Sequence, residues 1–166
     1  MDYIRSLHAS DEGLGECFLC RYWADPAEDR RNYVLWREGA CLVAFNRFPF
    51  NNGHMLVAPA RHKGTLDELE DAELSELIRR VRDVQRLLTG VVRAQGFNVG
   101  INVGRCAGAG LPDHIHIHVV PRWEGDTNFM GVVGDTRVIP QSMDDLYAEL
   151  AEAAPRLGLP PLAGAT

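Results

Sequence analysis

The chain has 166 residues, of which 46% are hydrophobic and 24% are charged, and its formal net charge is −6. This length and this balance are typical of one globular domain that is large enough to bury a core. The acidic charge argues against a nucleic-acid-binding surface, which needs clustered lysine and arginine facing phosphates.

Membrane association and secretion are not expected either. No apolar run approaches the roughly 20 residues that a membrane-spanning helix needs, and residues 1–10 lack the apolar stretch of a signal peptide. We therefore expect a cytoplasmic protein that binds neither nucleic acid nor a membrane. In that compartment the four cysteines should stay reduced.

The first half of the chain predicts three short strands. Apolar runs bounded by turn residues cover residues 33–37, 40–45 and 54–58. Glu38-Gly39 would form the first turn, and Asn51-Asn52-Gly53 is a strong turn signal before the third strand. The polar stretch at residues 22–32 is expected to be a loop.

The middle of the chain predicts one long helix. Thr65 and Glu68 have capping-box spacing, and a helix is expected from about residue 71 to residue 95. Its apolar stripe has helical spacing and consists of Leu77, Val81, Val84, Leu88 and Val91. The arginines of this segment lie mostly off the stripe and are expected to face solvent.

Two more strands follow the long helix. They are expected over residues 97–103 and 114–120, and the second should end at Pro121. Residues 104–110, which contain three glycines, would form the loop between them.

The order of these elements predicts an α+β domain with a mainly antiparallel sheet of about five strands. A loop is expected at residues 124–140, a closing helix over 144–154, and a mobile tail after that helix. We divide the chain into an N-terminal extension (1–14), one folded domain (15–140) and a C-terminal helix and tail (141–166).

Three histidines alternate along the last predicted strand, in the sequence His114-Ile-His116-Ile-His118. A strand points successive side chains to opposite faces, so the three imidazoles should stand in one row while Ile115 and Ile117 point into the core. A single histidine of this kind is usually an ordinary core or surface residue. Three in strict alternation indicate metal binding or chemistry on an anion.

A metal site can be assembled from a Cys-x-x-Cys pair and two histidines. Cys17 and Cys20 need two more ligands to close a tetrahedral zinc site, and His62 and His114 can be spared from chemistry. Four protein ligands leave no open position for water, so such a zinc ion would be structural. A reduced thiol pair without metal and a redox pair are the alternatives. We expect no organic cofactor.

The segment His114-Ile-His116-Ile-His118-Val119-Val120 resembles the motif of the histidine-triad (HIT) nucleotide-binding proteins. Asn46 and the segment Gly53-His54-Met55-Leu56-Val57 resemble the upstream nucleotide-binding segment of that family. The resemblance covers about residues 15–135. It implies a HIT-like fold, with residues 15–140 as the HIT domain.

The resemblance extends to the metal ligands and to one branch of the family. Cys17, Cys20 and His62 resemble the zinc ligands of many bacterial members. Other residues resemble the bacterial branch that contains diadenosine tetraphosphate phosphorylases and hydrolases. They are Asn102, residues 108–111 and Pro121-Arg122-Trp123-x-Gly125-Asp126-x-Asn128-Phe129. Gly110 is a departure, because relatives often carry Ser or Gln near this position and glycine offers only its backbone N–H.

The resemblance implies a chemical mechanism. The middle histidine, His116, would attack the α-phosphate of a dinucleoside polyphosphate and form a nucleotidyl-histidine. A neutral imidazole is a competent nucleophile near pH 7, and its other nitrogen would donate a proton to a backbone carbonyl. Water, orthophosphate or another acceptor would then release the nucleotide.

The resemblance also implies which residues contact the phosphate. His118 and His54 would offset charge on its oxygens, and Asn102 would donate a hydrogen bond to the phosphate or to the leaving oxygen. A small anion-binding nest would be formed by the backbone N–H groups of Gly108, Ala109 and Gly110.

The nucleoside would lie further from the triad. Asn46 matches the family position that binds ribose hydroxyls, and Phe18, Leu19 and Phe48 are candidates for the apolar slot around the base. Trp123 would stack on a second base or on a partner subunit. For Phe48 and Trp123, ordinary core packing is an equal alternative.

Several functions stay open at this point. The leading hypothesis is an enzyme that cleaves dinucleoside polyphosphates, and the alternatives are a nucleoside phosphoramidate hydrolase, a nucleotide-binding sensor with little turnover, and an open catalytic zinc site formed by the triad. The implied partners are an adenine nucleotide and a second copy of the chain. The copies would form a homodimer on the long helix and the sheet edge, or a tetramer.

Overall fold

The computed structural model of the protein describes residues 17–126 and 139–164. The expected N-terminal extension at residues 1–14 lies outside these ranges. Most of the expected loop at 124–140, with the motif residues Asn128 and Phe129, lies outside them as well.

One antiparallel sheet and three helices form the described domain. The helices are α1 (Phe18–Ala24), α2 (Asp71–Val92) and α3 (Met143–Arg156), and the strands are β1 (Val34–Glu38), β2 (Cys41–Phe45), β3 (Met55–Pro59), β4 (Gly96–Ile101) and β5 (Ile117–Arg122). The strand order is β1-β2-β3-β5-β4, and all neighbours are antiparallel. The predicted α+β fold with a five-stranded antiparallel sheet is therefore confirmed.

Both faces of the sheet are covered. Every residue of β2 is buried, and its side chains alternate between two apolar clusters. Cys41 and Val43 belong to the larger cluster, which includes the apolar faces of α2 and α3. Leu42 and Ala44 belong to the smaller one, where Leu19 of α1 packs on the opposite face. A central strand that is buried on both faces cannot show a polar alternation.

Helix α2 forms as its apolar stripe predicts. Four of the five stripe residues are buried, and Val91 is half-buried. Glu70 and Glu73 form a capping box at its first turn. The helix ends at Val92, earlier than expected, because Arg93 adopts a left-handed conformation with φ of 53°. No helix within the described ranges is long and apolar enough to cross a membrane.

Helix α1 was not predicted, because residues 22–32 were expected to be a loop. The helix has only 7 residues, which is too short for a clear helical period. It forms because Leu19 and Tyr22, three residues apart, are buried together against the sheet. The tertiary contact, not local propensity, stabilises this helix.

The last strand begins later than predicted. It starts at Ile117, and the N–H of Ile115 donates to Lys63 O at 2.6 Å instead of to a neighbouring strand. The strand also continues through Pro121, which lies opposite Phe97 of β4. Among the described strands, β3 pairs with β5 only as far as Val119, so Pro121 has a strand partner only on the β4 side. Proline lacks a backbone N–H, and such a position at the end of a pairing tolerates this loss.

The expected mobile tail is instead packed on the core. Leu159 and Leu162 are buried in the larger apolar cluster. The N–H of Ala163 donates to Leu35 O at 2.7 Å, and the indole N–H of Trp36 donates to Pro160 O at 3.0 Å. These contacts join segments that are far apart in the chain, and no local pattern reports them.

Candidate functional site

A cavity of about 270 Å³ opens between α1, the sheet and two loops. Its walls contain Phe18, Arg21, Tyr22, Phe45, Asn46, Arg47, Phe48, Phe50, Leu56, Asn102, Gly108, Gly110, Leu111, His116 and His118. Two of the three triad histidines thus face the same space, together with apolar side chains and two arginines. No carboxylate is among the described residues that line it.

The triad segment alternates as the sequence predicts. Ile115, Ile117 and Val119 are buried in the larger apolar cluster. On the other side, His116 and His118 line the cavity, with ring centroids 4.9 Å apart. His114, two residues earlier in the chain, faces the two cysteines of the metal cluster instead.

A backbone carbonyl sets the protonation of His116. Its Nδ1 lies 2.9 Å from His114 O, and a carbonyl oxygen can only accept, so Nδ1 bears the proton. The neutral ring therefore carries its lone pair on Nε2. Burial lowers the pKa of His116, which favours this neutral form. A buried, neutral imidazole with an unprotonated Nε2 is the state that a nucleophile needs.

A backbone N–H sets the protonation of His118 through a second histidine. Phe50 N–H donates to His54 Nδ1 at 3.1 Å, so the proton of neutral His54 is on Nε2. His54 Nε2 lies 3.0 Å from His118 Nδ1 and donates to it, which leaves the proton of His118 on its own Nε2. Burial, with a smaller effect of His116, lowers the pKa of His118 to about 4. His118 is therefore a neutral donor at neutral pH.

His54 lies behind the cavity wall and is not one of the residues that line the cavity. Its side chain is fully buried behind His118, and it is absent from the residues that line the cavity. The expected direct contact between His54 and a phosphate therefore does not fit its position, because a buried ring cannot reach a ligand. Its contact with His118 gives it a positioning role.

Asn46 and Phe48 lie together at the cavity wall. Phe48 N–H donates to Asn46 Oδ1 at 3.0 Å, and Asn46 Nδ2 lies 3.3 Å from His54 Nδ1. The loop that carries Asn46 and Phe48 is thereby held in contact with His54. Phe48 lines the cavity while 60% of its surface is exposed, which is unusual for a phenylalanine. Leu19 is buried behind the wall.

The glycine loop offers fewer free donors than expected. Gly108 N–H donates to Arg105 O at 3.0 Å and Ala109 N–H donates to Gly104 O at 3.4 Å, so the turn itself uses both groups. Gly110 lines the cavity, and its N–H has no partner among the described residues. The expected three-residue nest is thus reduced to one backbone donor, which is joined by the amide of Asn102 at the same cavity.

Trp123 lies away from the cavity. Its ring packs against the larger apolar cluster, and its indole N–H donates to Val92 O at 3.1 Å. Trp123 therefore does not line this cavity, and its contacts favour the core-packing alternative. Stacking on a second base elsewhere or on a partner subunit stays a prediction. The sequence could not separate these two environments, because both favour an aromatic side chain.

The four expected metal ligands come together. The ligand atoms of Cys17, Cys20, His62 and His114 all lie within 4.8 Å of one another. His114 Nδ1 lies 3.1 Å from Cys17 Sγ and 3.4 Å from Cys20 Sγ, and His62 Nδ1 lies 3.3 Å from Cys20 Sγ. A tetrahedral zinc ion would set sulfur and nitrogen ligands about 3.5 Å apart, given the usual bond lengths.

The donor chemistry of this cluster also fits zinc. His114 Nε2 lies 2.9 Å from Pro59 O and donates to it, so the lone pair of His114 is on Nδ1, which faces the two thiols. Burial raises the pKa of the Cys17 thiol to about 11. The thiolate that zinc requires would therefore form only with the cation bound.

Sequence reasoning missed two basic residues of the site. Arg21 and Arg47 both line the cavity. A signal for Arg21 was available, because Phe18, Arg21 and Tyr22 have the i, i+3, i+4 spacing of one helix face. No pattern marks Arg47, which follows Asn46 in a loop.

Known proteins resemble this chain in sequence and in structure. A family model described as HIT domain matches residues 28–125. The chain is 41% identical over 123 residues to the AP-4-A phosphorylase of Mycobacterium tuberculosis, and the match covers 74% of this chain and 63% of that protein. It is 37% identical over 93 residues to the asymmetrical bis(5'-nucleosyl)-tetraphosphatase of Schizosaccharomyces pombe, covering 56% of this chain and 50% of that protein.

A solved structure with the same architecture carries zinc. It is the Zn-bound histidine triad family protein of Mycobacterium smegmatis, with a TM-score of 0.70, 26% identity, and coverage of 88% of this chain and 98% of that chain. The match covers 98% of this neighbour. In contrast, the chain spans only 63% of the M. tuberculosis protein and 50% of the S. pombe protein.

Proposed function

This chain belongs to the histidine-triad (HIT) family, and we propose that it cleaves dinucleoside polyphosphates at the α-phosphate through a nucleotidyl-histidine intermediate. The observation that carries the proposal is the hydrogen bond from His116 Nδ1 to His114 O. It leaves an unprotonated Nε2 on a histidine that lines the cavity, beside the N–H donor of His118. The similarity to the AP-4-A phosphorylase of M. tuberculosis supports the substrate class.

In the first step, Nε2 of His116 forms a bond to the α-phosphorus. The bond from phosphorus to the bridging oxygen breaks, and the leaving nucleotide departs with its electron pair. His118 Nε2–H, Asn102 and the backbone N–H of Gly110 donate to the phosphate oxygens as charge develops on them. The Nδ1–H bond to His114 O stabilises the positive imidazole ring in the intermediate.

In the second step, an acceptor oxygen attacks phosphorus and His116 leaves as a neutral ring. Orthophosphate as acceptor would yield ADP, and water would yield AMP. The relative with 41% identity is a phosphorylase and the one with 37% identity is a tetraphosphatase, so phosphate is the acceptor that we favour. The same intermediate would form from a nucleoside phosphoramidate, which we keep as the alternative substrate.

The nucleoside binds between α1 and the loop that carries Asn46. Asn46 would bind the ribose hydroxyls, and the adenine base would lie between Phe18 and Phe48. Support comes from the position of all three residues on one cavity and from the exposed ring of Phe48. Stacking on an aromatic ring is worth about 1–3 kcal/mol per base.

The cluster of Cys17, Cys20, His62 and His114 would hold a structural zinc ion. The ligand distances and the orientation of His114 support this assignment, and so does the Zn-bound neighbour. When bound, the ion would tie the start of α1 to the triad segment, and it would supply no step of the reaction. Zinc binding by Cys17 and Cys20 needs reduced thiols, which agrees with the cytoplasmic location that we propose.

We also propose a homodimer built on the edge of β4 that faces away from β5. Among the described strands, β4 pairs only with β5; Val99 in β4 is 44% exposed, and Val103, just after the strand, is 43% exposed. An unpaired edge with exposed apolar side chains is a template for pairing with another strand. A second copy of the chain would continue the antiparallel sheet, and a tetramer would need a further interface.

The test of the proposed function is mass spectrometry of the protein quenched during turnover of diadenosine tetraphosphate. We expect an adenylyl adduct on a peptide that contains His116, and ADP among the products when orthophosphate is present. His116→Ala should remove both the adduct and turnover while bound zinc is retained. Turnover by that variant would refute the nucleophile role, whereas loss of both turnover and zinc would favour a catalytic metal site at the triad.

A further inference from the structure

Arg21 and Arg47, the two arginines that line the cavity, differ from most of the described arginines in the groups that their side chains contact. Most of the others form an ion pair with a carboxylate, as Arg37 does with Asp29 and Arg80 does with Glu76. Arg21 and Arg47 have no carboxylate partner among the described residues. Within residues 17–126 and 139–164, no carboxylate therefore neutralises these two positive charges.

Of the two, Arg21 has the freer guanidinium. Arg47 donates to Arg31 O and to Asn32 Oδ1, both at 3.3 Å, so neutral acceptors hold its side chain. The guanidinium of Arg21 lies 5.9 Å from the ring centre of Tyr22 and has no hydrogen-bond acceptor among the described residues. None of its donors is thus used by an acceptor from the part of the chain that the structure describes.

The backbone of Arg21 is fixed although its side chain is free. Its N–H donates to Cys17 O at 3.0 Å, and its carbonyl accepts from Asp25 N–H at 3.2 Å. The next residue, Tyr22, is buried with 2% of its surface exposed. Helix α1 therefore fixes the backbone from which the exposed Arg21 side chain extends at the cavity wall.

The charge around the cavity indicates a ligand with several negative charges. The chain is acidic overall, with a net charge of −6, yet no carboxylate from its described residues lines this space. The proposed reaction at the α-phosphate uses neutral donors, His118, Asn102 and Gly110. Two further cations are not needed for one phosphate, and a concave site concentrates their field.

We infer that Arg21 binds the phosphates beyond the scissile bond, so that the cavity selects substrates with a polyanionic leaving group. This inference rests on the proposed function and narrows its substrate class. A dinucleoside polyphosphate carries about one negative charge for each phosphate that leaves, whereas the leaving group of a phosphoramidate is a neutral amine. The planar guanidinium suits bidentate contacts with phosphate oxygens, and Arg47 adds to the field.

The first test compares two substrates that share the adenylyl group. For Arg21→Gln, we expect kcat/KM to fall about tenfold or more with diadenosine tetraphosphate, as for the loss of a charged hydrogen bond. With adenosine 5'-phosphoramidate it should change less than about twofold. Arg79→Gln, which removes the same charge from an exposed site on α2, is the matched control and should change neither value. Equal losses with both substrates, or no loss, would overturn the inference.

The second test separates a failure of this inference from a failure of the proposed reaction. In the His116→Ala background, calorimetry measures the affinity for AMP and for diadenosine tetraphosphate with and without Arg21→Gln. Selective weakening of the tetraphosphate supports the inference, whatever the fate of His116 in the reaction. Equal weakening of AMP would assign Arg21 to the nucleoside and contradict the inference. An adduct on His116 with no effect of Arg21→Gln would refute only the role of Arg21.

Discussion

His54 Nε2 lies 3.0 Å from His118 Nδ1, and this contact determines which nitrogen of His118 carries the proton. The direction of the hydrogen bond follows from Phe50 N–H, which occupies Nδ1 of His54. A backbone amide thus sets the protonation of a side chain that it does not touch. His114 O has the corresponding effect on His116, the proposed nucleophile.

The first prediction concerns His54 as a positioning residue. His54→Leu removes the donor to His118, so that His118 can place its proton on Nδ1 and lose its donor to the phosphate. We expect kcat to fall about tenfold to a hundredfold, the cost of one unsatisfied buried group. His54→Gln keeps an N–H donor near the same point and should recover much of the loss. Equal activity of the two variants at equal thermal stability would contradict this role.

The second prediction concerns the metal cluster. Cys17→Ser removes one of the four ligands, so bound zinc, measured by elemental analysis, should drop from about one per chain to a small fraction. Because the ion would bind only the folded chain, the apparent Tm should fall by about 5 °C or more. Cys106→Ser changes an exposed cysteine outside the cluster and should leave both values as they are. Full zinc content in Cys17→Ser would remove this residue from the ligand set.

The third prediction is a pH dependence of stability that arises from Glu73. The Arg61 guanidinium hydrogen-bonds to this carboxylate and, with Glu70 N–H, lowers the pKa of Glu73 to about 2. The unfolded value is about 4.3, so the stabilisation is complete above about pH 5 and is lost as the pH falls towards 2.

Urea denaturation of Glu73→Gln measures this contribution. Since the side chain of Arg61 is 45% exposed, we expect a loss of only about 1 kcal/mol at pH 7, which should shrink as the pH approaches 2. Glu152→Gln breaks a pair whose side chains are 67% and 74% exposed, and it should cost about 0.3 kcal/mol or less at every pH. A cost for Glu73→Gln that is independent of pH would assign the effect to packing.

The fourth prediction concerns the segment after α3. Leu159 is 6% exposed, so Leu159→Ala should lower the free energy of unfolding by about 2–4 kcal/mol, as for other buried leucines. Leu66→Ala, at a position that is 38% exposed, should cost less than about 1 kcal/mol. If both variants had the same stability in urea, the packing of the tail on the core would be refuted.

The fifth prediction concerns the edge of the sheet. Val99→Lys puts a charge on the exposed face of β4, and charged edge strands resist pairing. We expect light scattering after size exclusion to give a dimer mass for the wild type and a monomer mass for this variant. Arg31→Gln, next to β1 at the other edge of the sheet, should stay dimeric. A wild-type monomer, or a dimeric Val99→Lys, would rule out this interface.

The sequence by itself determined the features that depend on local periodicity. The apolar stripe of α2 and the alternation of His116 and His118 with Ile115 and Ile117 follow from the spacing of side chains along one segment, and the α+β class follows from the order of the predicted elements. The pairing of Cys17 and Cys20 with His62 and His114 also followed from residue chemistry, because few other ligands were available. These patterns hold within a strand or a turn of helix, where backbone geometry alone sets the direction of each side chain.

The tertiary structure decided what depends on residues far apart in the chain. It packed the tail on the core, put Trp123 away from the cavity, and brought Arg21 and Arg47 to its wall. It also selected the tautomer of His118, since this depends on a hydrogen bond with His54, which is 64 residues away in the sequence. Such contacts arise only when the chain packs, and packing energy between distant segments leaves no periodic trace in the sequence.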